Sequence, residues 1–271
     1  MSAPTIVTEE ALLSSPRPNG GQPWRPWALR GAALVLFLGL WQAAASLKLV
    51  DPVFLPAPST IVSSFVATLE DGAILINSLI SLRRVLLGFA AGAVLGVPLG
   101  LAMGLYRDVE NFFDPLVELL RPIPPLAWIP LSIIWLGIEE SPKIFIIFLG
   151  AFFPILLATV AAVRNVDPLL IRAARSLGAG NRDIYLRVVL PAAVPGILTG
   201  LRVGLGVAWT CLVAAELIAA RAGLGYMIAA ARRFLVTEVV IMGMLVIGLL
   251  GVLMEAALRA IEQRLTFWVE K

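Results

Sequence analysis

Residues 172–191 read RAARSLGAGNRDIYLRVVLP, and their charge sets them apart from what surrounds them. Arg172, Arg175, Arg182, Asp183 and Arg187 fall within twenty positions, between runs such as IFIIFLGAFFPILLATVAAV (144–163) and PGILTGLRVGLGVAW (195–209). The flanks have the length and apolarity of helices that cross a bilayer, which needs about 20 mostly apolar residues each. The quoted stretch is therefore a polar loop joining two spans.

Composition supports this class. Of 271 residues 59% are hydrophobic and 14% charged, and the mean hydropathy is +0.93. A soluble domain carries nearer a quarter charged residues. An all-α polytopic membrane protein is expected, with about six spans near 29–47, 85–105, 121–138, 143–163, 195–219 and 237–259. The third, holding PIPPLAWIPLSIIWLG, is the weakest, because its prolines remove helix hydrogen bonds. Broken backbone at membrane depth is tolerated where it is buried or lines a cavity. Residues 1–27, rich in Pro, Ser and Gly, read as a flexible cytoplasmic tail rather than a signal peptide, ahead of a membrane domain over 28–271.

With six spans both termini share one side. That side holds Arg17, Arg25, Arg30, Arg107, Arg121, the five arginines of loop 164–194, Arg202, Arg259, Arg264 and Lys271, fourteen of the 21 Lys and Arg. The positive-inside rule places it in the cytoplasm. A net charge of +3 is too small to argue for nucleic acid, and arginines on loops account for the pI near 9.4. The absence of histidine removes histidine-dependent catalysis and the usual zinc sites, so neither a catalytic nor a metal site is expected. Cys211, the one cysteine, sits in an apolar run as packing.

Loop 164–194 reads as two short helices and a joint. Asp167 suits an N-cap and Pro168 the first helical position. Gly178 stands where a left-handed residue ends a helix. Asn181 suits the cap of a second helix that stops before Pro191. Ala173 and Ala174 make one face thin enough for another surface to approach. A basic amphipathic helix on anionic lipid is the competing reading.

The spacing A-A-x-x-x-G, nine residues, then V-x-L-P, carried by Ala173, Ala174, Gly178, Val188, Leu190 and Pro191, resembles the signature loop of permease subunits of bacterial ABC importers. PVFLPAPSTIVSSF, SLRRVLLGF, LPAAVPGILTGLRVGLGVAW and LVAAELIAARAGLGYMI extend the resemblance over most of the chain, to the nitrate/sulfonate/taurine branch and most closely to its taurine-carrying members. The family has glutamate where Arg172 stands. The resemblance implies the type I importer permease fold and a loop, with Arg172, Arg175 and Ser176 beside the motif positions, that couples to a separate ATPase subunit. It also implies a dimer of permease chains, an extracytoplasmic binding protein, and a place in the bacterial cytoplasmic membrane. Taurine or another alkanesulfonate is the implied cargo, with nitrate, bicarbonate or an aromatic acid as alternatives. No Gly-Lys pair exists, since Lys48, Lys143 and Lys271 follow Leu47, Pro142 and Glu270, so this chain has no phosphate-binding loop. ATP and Mg are implied in the partner ATPase, with no cofactor here. An ATP-independent secondary transporter is the reading from another class, though such proteins usually show repeats with charged ion sites.

Ionisable groups at membrane depth are functional candidates. Glu216 lies late in the fifth span, where it meets the substrate pathway or an arginine. Arg83 and Arg84 stand at the start of the second span, as pathway residues or snorkelling cations. Pro125, Trp128 and Trp135 complete the candidate pathway, against a packing or interface-anchor reading. Gly204, Gly206 and Ala208 are expected to allow close helix packing. GLGY at 223–226 reads as an outer turn or short helix.

Overall fold

Helix α3, Ala73–Leu105, carries glycine at every fourth position from 88 to 104, and the bundle is built on that ridge. In this computed structural model, which describes residues 25–266, a methyl group placed on these glycines would collide with α6, Ser141–Arg164, at four of them and crowd it at Gly96. Gly88 faces Ile147, Gly92 faces Ala151, Gly96 faces Ile155, Gly100 faces Thr159 and Gly104 faces Val163. Both series step by four, so the small ridge of one helix seats the larger ridge of the other. Backbones approach closely this way inside a membrane, where lipid supplies no hydrophobic drive for helices to associate.

The same face-by-face order fixes direction. Residue numbers rise together along α3 and α6, so the two helices are parallel. The segment between them must then return from the end of α3 to the start of α6. It does so in pieces: α4, Arg107–Leu120; a 3₁₀ turn, Pro125–Trp128; and α5, Ile129–Leu136. The pieces bend by 83°. Val117 of α4 packs with Leu156 and Val160, while Ile129 of α5 joins Val85, Ile146 and Ile147 at the other end of the bundle. The expected third span, 121–138, is thus not one helix. Pro122, Pro124, Pro125 and Pro130 lack the N–H groups a continuous helix needs.

The remaining elements are α1, Arg25–Ser46; α2, Pro58–Glu70; α7, Pro168–Ser176; α8, Asn181–Ala219; α9, Leu224–Arg233; and α10, Thr237–Leu265. No strand occurs among the described residues, as the all-α class requires. Two units divide the chain after residue 59. In the first, Trp41 Nε1 donates to Pro56 O (3.1 Å) and Gln42 Oε1 accepts from Ser59 N (3.1 Å). In the second, α6 lies between α3 and α8. Gly196, Gly200 and Gly204 of α8 abut Ala162, Ala158 and Ile155, an antiparallel contact.

Four helices, α3, α6, α8 and α10, are long and apolar enough to cross a membrane, and the bent α4–α5 pair makes five. Helix α1 adds a further apolar stretch, Gly31–Ser46, among the described residues. The second expected span began at residue 85. Helix α3 begins twelve positions earlier, at Ala73, so Arg83 and Arg84 are interior to it rather than at its start. The expected tail 1–27 lies outside the described residues up to residue 24.

Gly100→Val puts methyl groups against Thr159 Cβ and Leu156 O, where even a Cβ would sit 2.7 and 2.8 Å away. It should cost about 3 kcal/mol, seen as a lowered thermal midpoint of the purified protein in detergent. Gly39→Ala, with nothing within 4 Å, should leave that midpoint unchanged or slightly raised.

Candidate functional site

Two polar regions interrupt the apolar bundle, one at each end of α8. At its start lies the loop read first in the sequence. Asp167 Oδ1 accepts from Leu169 N at 2.7 Å and Pro168 opens α7, as expected of a cap. The helix ends at Gly178, whose φ is +81°. Gly178 N donates to Arg175 O (2.9 Å) and Ala179 N to Ala174 O (3.1 Å). These two bonds are a Schellman closure, which needs a left-handed residue at the glycine's place.

Two loop expectations fail. Asn181 is not a cap: Gly180 holds that position without a side-chain bond. Nor does the second helix stop before Pro191. It runs through a π-helical stretch at Tyr185–Val189 straight into the membrane helix. The π register absorbs the N–H that Pro191 lacks, so the proline does not cut the helix.

The loop packs on a small core that it shares with the ends of α3, α6 and α8. Val163, Val166, Ile184, Val189, Ala193 and Ile197 are buried together, with Ala174, Ala179 and Tyr185 against them. Tyr185 meets Tyr106 edge to face, centroids 6.0 Å apart, and Arg164 pairs with Glu110. These contacts pin the loop to the α3–α4 joint. Arg172, Ala173, Arg175, Ser176 and Gly178 are exposed, while Val188, Leu190 and Pro191 are half-buried. Leu177 is 89% exposed, and Arg172, Arg175, Arg182 and Arg187, close to it in sequence, are exposed as well. The result is a firmly held polar knob with an apolar point.

At the far end of α8 the structure brings together residues that the sequence left apart. Arg84 is 2% exposed and Glu216 1%. Arg84 Nη1 donates to Glu216 Oε1 (2.7 Å) and to Ala222 O (2.6 Å). Its Nε and Nη2 donate to the two oxygens of Glu140 (2.7 and 2.6 Å), a fork matched to a carboxylate. Glu140 stands just outside α6, and these bonds hold its carboxyl below the ordinary carboxylate range. Ser81 Oγ donates to Glu216 (2.8 Å) and accepts from Leu224 N (2.9 Å). Gly225 N donates to Glu216 Oε2 (2.8 Å) and Gly223 N to Asn77 Oδ1 (2.7 Å). Glu216 thereby sits at the N-terminus of α9, where the first N–H groups lack partners and favour an anion. A side chain at Gly223, whose φ is +114°, would land on that carboxylate.

Of the candidate pathway residues, Arg84 and Glu216 thus bond each other and their surroundings. Arg83 is exposed, Pro125 begins the 3₁₀ turn, Trp128 packs on the core, and Trp135 is exposed 6.4 Å from Trp128 between ring centroids. Sequence reasoning missed Asn77, Ser81 and Glu140. The signal for two of them was present: Asn77, Ser81 and Arg84 recur at helical spacing on one face of an apolar helix.

Glu216→Leu strips a partner from Arg84, Ser81 and Gly225 at once and should cost about 3–5 kcal/mol, measured by thermal unfolding in detergent. Glu216→Gln keeps the shape and one acceptor oxygen but turns the other into a donor, and should cost less than Glu216→Leu.

Residues 92–267 match the family described as "Binding-protein-dependent transport system inner membrane component". The taurine transport system permease of Escherichia coli K12 is 44% identical over 240 residues, 87% of each chain. The putative aliphatic sulfonates transport permease of Bacillus subtilis is 39% identical over 271 residues, 97% of this chain and 98% of its own. Among solved structures, an inward-facing MetNI methionine ABC transporter chain superposes with a TM-score of 0.60 at 22% identity, over 69% of this chain and 94% of that one, a likeness of fold. The chain belongs to the binding-protein-dependent inner membrane component family, the permease subunits of ABC importers, with the type I importer permease fold.

Proposed function

We propose that two copies of this chain form the membrane path of an importer for taurine or a related alkanesulfonate. Loop 164–194 faces the cytoplasm with both termini and docks on a separate ATPase subunit, which binds ATP and Mg. An extracytoplasmic binding protein delivers cargo at the end where Arg84 and Glu216 meet. The observation that carries the coupling reading is the exposed Leu177 on a loop held by a buried core shared with the membrane helices. A leucine bare to water on so firm a support is a contact awaiting a partner, and the surrounding arginines supply the polar rim of a protein interface. The identity to taurine and sulfonate permeases supports the cargo.

In this reading ATP draws two ATPase subunits together and moves the two knobs. The α3–α6–α8 block follows as a unit, because its glycine contacts leave no slack for sliding. Cells lacking the gene should lose labelled taurine uptake, and excess unlabelled taurine should compete in cells that carry it. Unchanged uptake would remove taurine and turn the search to other oxyanions. Leu177→Asp should abolish co-purification of the ATPase and cut uptake at least tenfold while the permease remains folded. Retained co-purification with normal uptake would defeat the docking assignment.

A further inference from the structure

Helix α10 is the least buried of the four long apolar helices: 11% of its most apolar stretch is buried, against 28–44% in α3, α6 and α8. Leu250, Met254 and Leu258 hold one side of it on the core. Two grooves run along its open side and share Val252 and Glu255. Together they extend from Gly248 to Gln263, about 22 Å of helix. Gly248, Val252, Glu255, Ala256, Arg259 and Gln263 recur there at intervals of three and four, so they form one stripe.

The stripe is charged, and its charges lie at membrane depth. Glu255 shares the wall of the first groove with Arg202 and Gly206 of α8. Gly204 and Gly200 of α8 abut Ile155 and Ala158, which puts Arg202 about 6 Å from the middle of α6 along its axis. The hydrocarbon layer is about 30 Å thick. Glu255 therefore lies inside it, and Arg259 one turn further toward the loop end. The two bond each other at 3.0 Å, yet their side chains are 46% and 58% exposed. Charged groups at such depth almost always face protein or water rather than lipid. The apolar faces of the bundle suit lipid, and this one does not.

We propose that a second copy of this chain covers the stripe, with the two α10 helices side by side. The assignment rests on the two-copy reading above and names its surface. The charges decide the occupant. Two identical chains enter the membrane the same way, so their two-fold axis stands along the membrane normal and the paired helices run parallel. Each helix brings one acid and one base a turn apart. Glu255 of either copy then reaches Arg259 of the other, and the four groups close a ring of alternating charge. A face of one sign would repel its own copy, whereas this face is its own complement. The stripe also admits a close neighbour. Ala256 and Ala260 stand four apart, and a methyl added at Gly248 or Gly251 would meet nothing within 4 Å. Small residues of this kind let helix backbones approach in membranes.

The test uses membranes of cells making the complete importer, with Cys211→Ala so that each introduced cysteine is alone. Val252→Cys, in the stripe, should give a disulfide-linked pair of chains on oxidation with copper phenanthroline. Ala257→Cys is exposed on the same helix but turned about 140° from Val252, and should not. Glu255→Arg and Arg259→Glu should each lower the cross-link through Val252→Cys roughly tenfold, since like charges then meet across the contact. Chains carrying one change each, made together, should restore it. An ion pair confined to its own chain gives no such rescue, so a cross-link that ignores both changes, or one that the mixture fails to restore, overturns the proposal. Labelling of Val252→Cys by a water-soluble thiol reagent without cross-linking also overturns it and gives the stripe to an aqueous path. Counting copies by photobleaching of a labelled chain separates this proposal from the reading it rests on. Two copies without the cross-link overturn the surface alone, and a single copy overturns both. Taurine is absent from every readout, so a different cargo leaves the surface standing.

Discussion

The close seating of α6 on the glycine ridge of α3 is the contact on which the other placements depend. Five glycines meet five side chains in step, Gly88 to Ile147 through Gly104 to Val163. Because the match repeats every four residues on both helices, a slip by one or two positions would set side chains against side chains along the whole length. Register and parallel direction are therefore fixed together. Parallel direction in turn forces residues 106–140 back across the bundle, and the prolines there let the return be made in short bent pieces. Helix α8 then closes on the other face of α6 with the same device, through Gly196, Gly200 and Gly204.

Onto this block the two ends of α8 add opposite kinds of polar structure. At the loop end the bonds are local and the side chains face outward. The Schellman turn at Gly178 and the small core under Ala174 and Ile184 hold Leu177 and four arginines out to solvent. At the other end the side chains face inward. Arg84, Glu216, Ser81 and Asn77 are spent on each other and on the backbone of 222–225. An ion pair so enclosed adds little over an apolar contact of equal volume, but removing one partner is costly. Its effect is to fix where α9 begins.

Class, spans and loop were legible because each rests on local chemistry: runs of apolar residues, Asp-Pro at a helix start, glycine at a helix end. The interior start of α3 was not, because the polar face Asn77–Ser81–Arg84 made the first turns look like a loop margin when they are buried against residues some 140 positions away. The spacing of Gly88, Gly92, Gly96, Gly100 and Gly104 could have been read, yet spacing names no partner. Gly206 shows the limit from the other side. Expected to pack closely beside Gly204, it faces open space, whereas Gly204 lies against Ile155. Two glycines two positions apart on a helix point in different directions, and only the neighbour decides what each is for.

The unbroken course of α8 has a mechanical consequence. From Asn181 to Ala219 it is 39 residues, a rod of about 58 Å, and the π stretch at Tyr185–Val189 keeps it whole where Pro191 would have parted it. A rod pivoted near its middle works as a lever with nearly equal arms. Tilting it by about 5° would swing each tip by roughly 2.5 Å at this length, in opposite senses. The tip far from the loop bears the carboxylate of Glu216 in a lattice of bonds 2.6–2.9 Å long. Arg84 and Ser81 ride on α3 in the same block, so such a stroke carries their bonds to Glu216 along whole and is felt at the joints to residues 222–225.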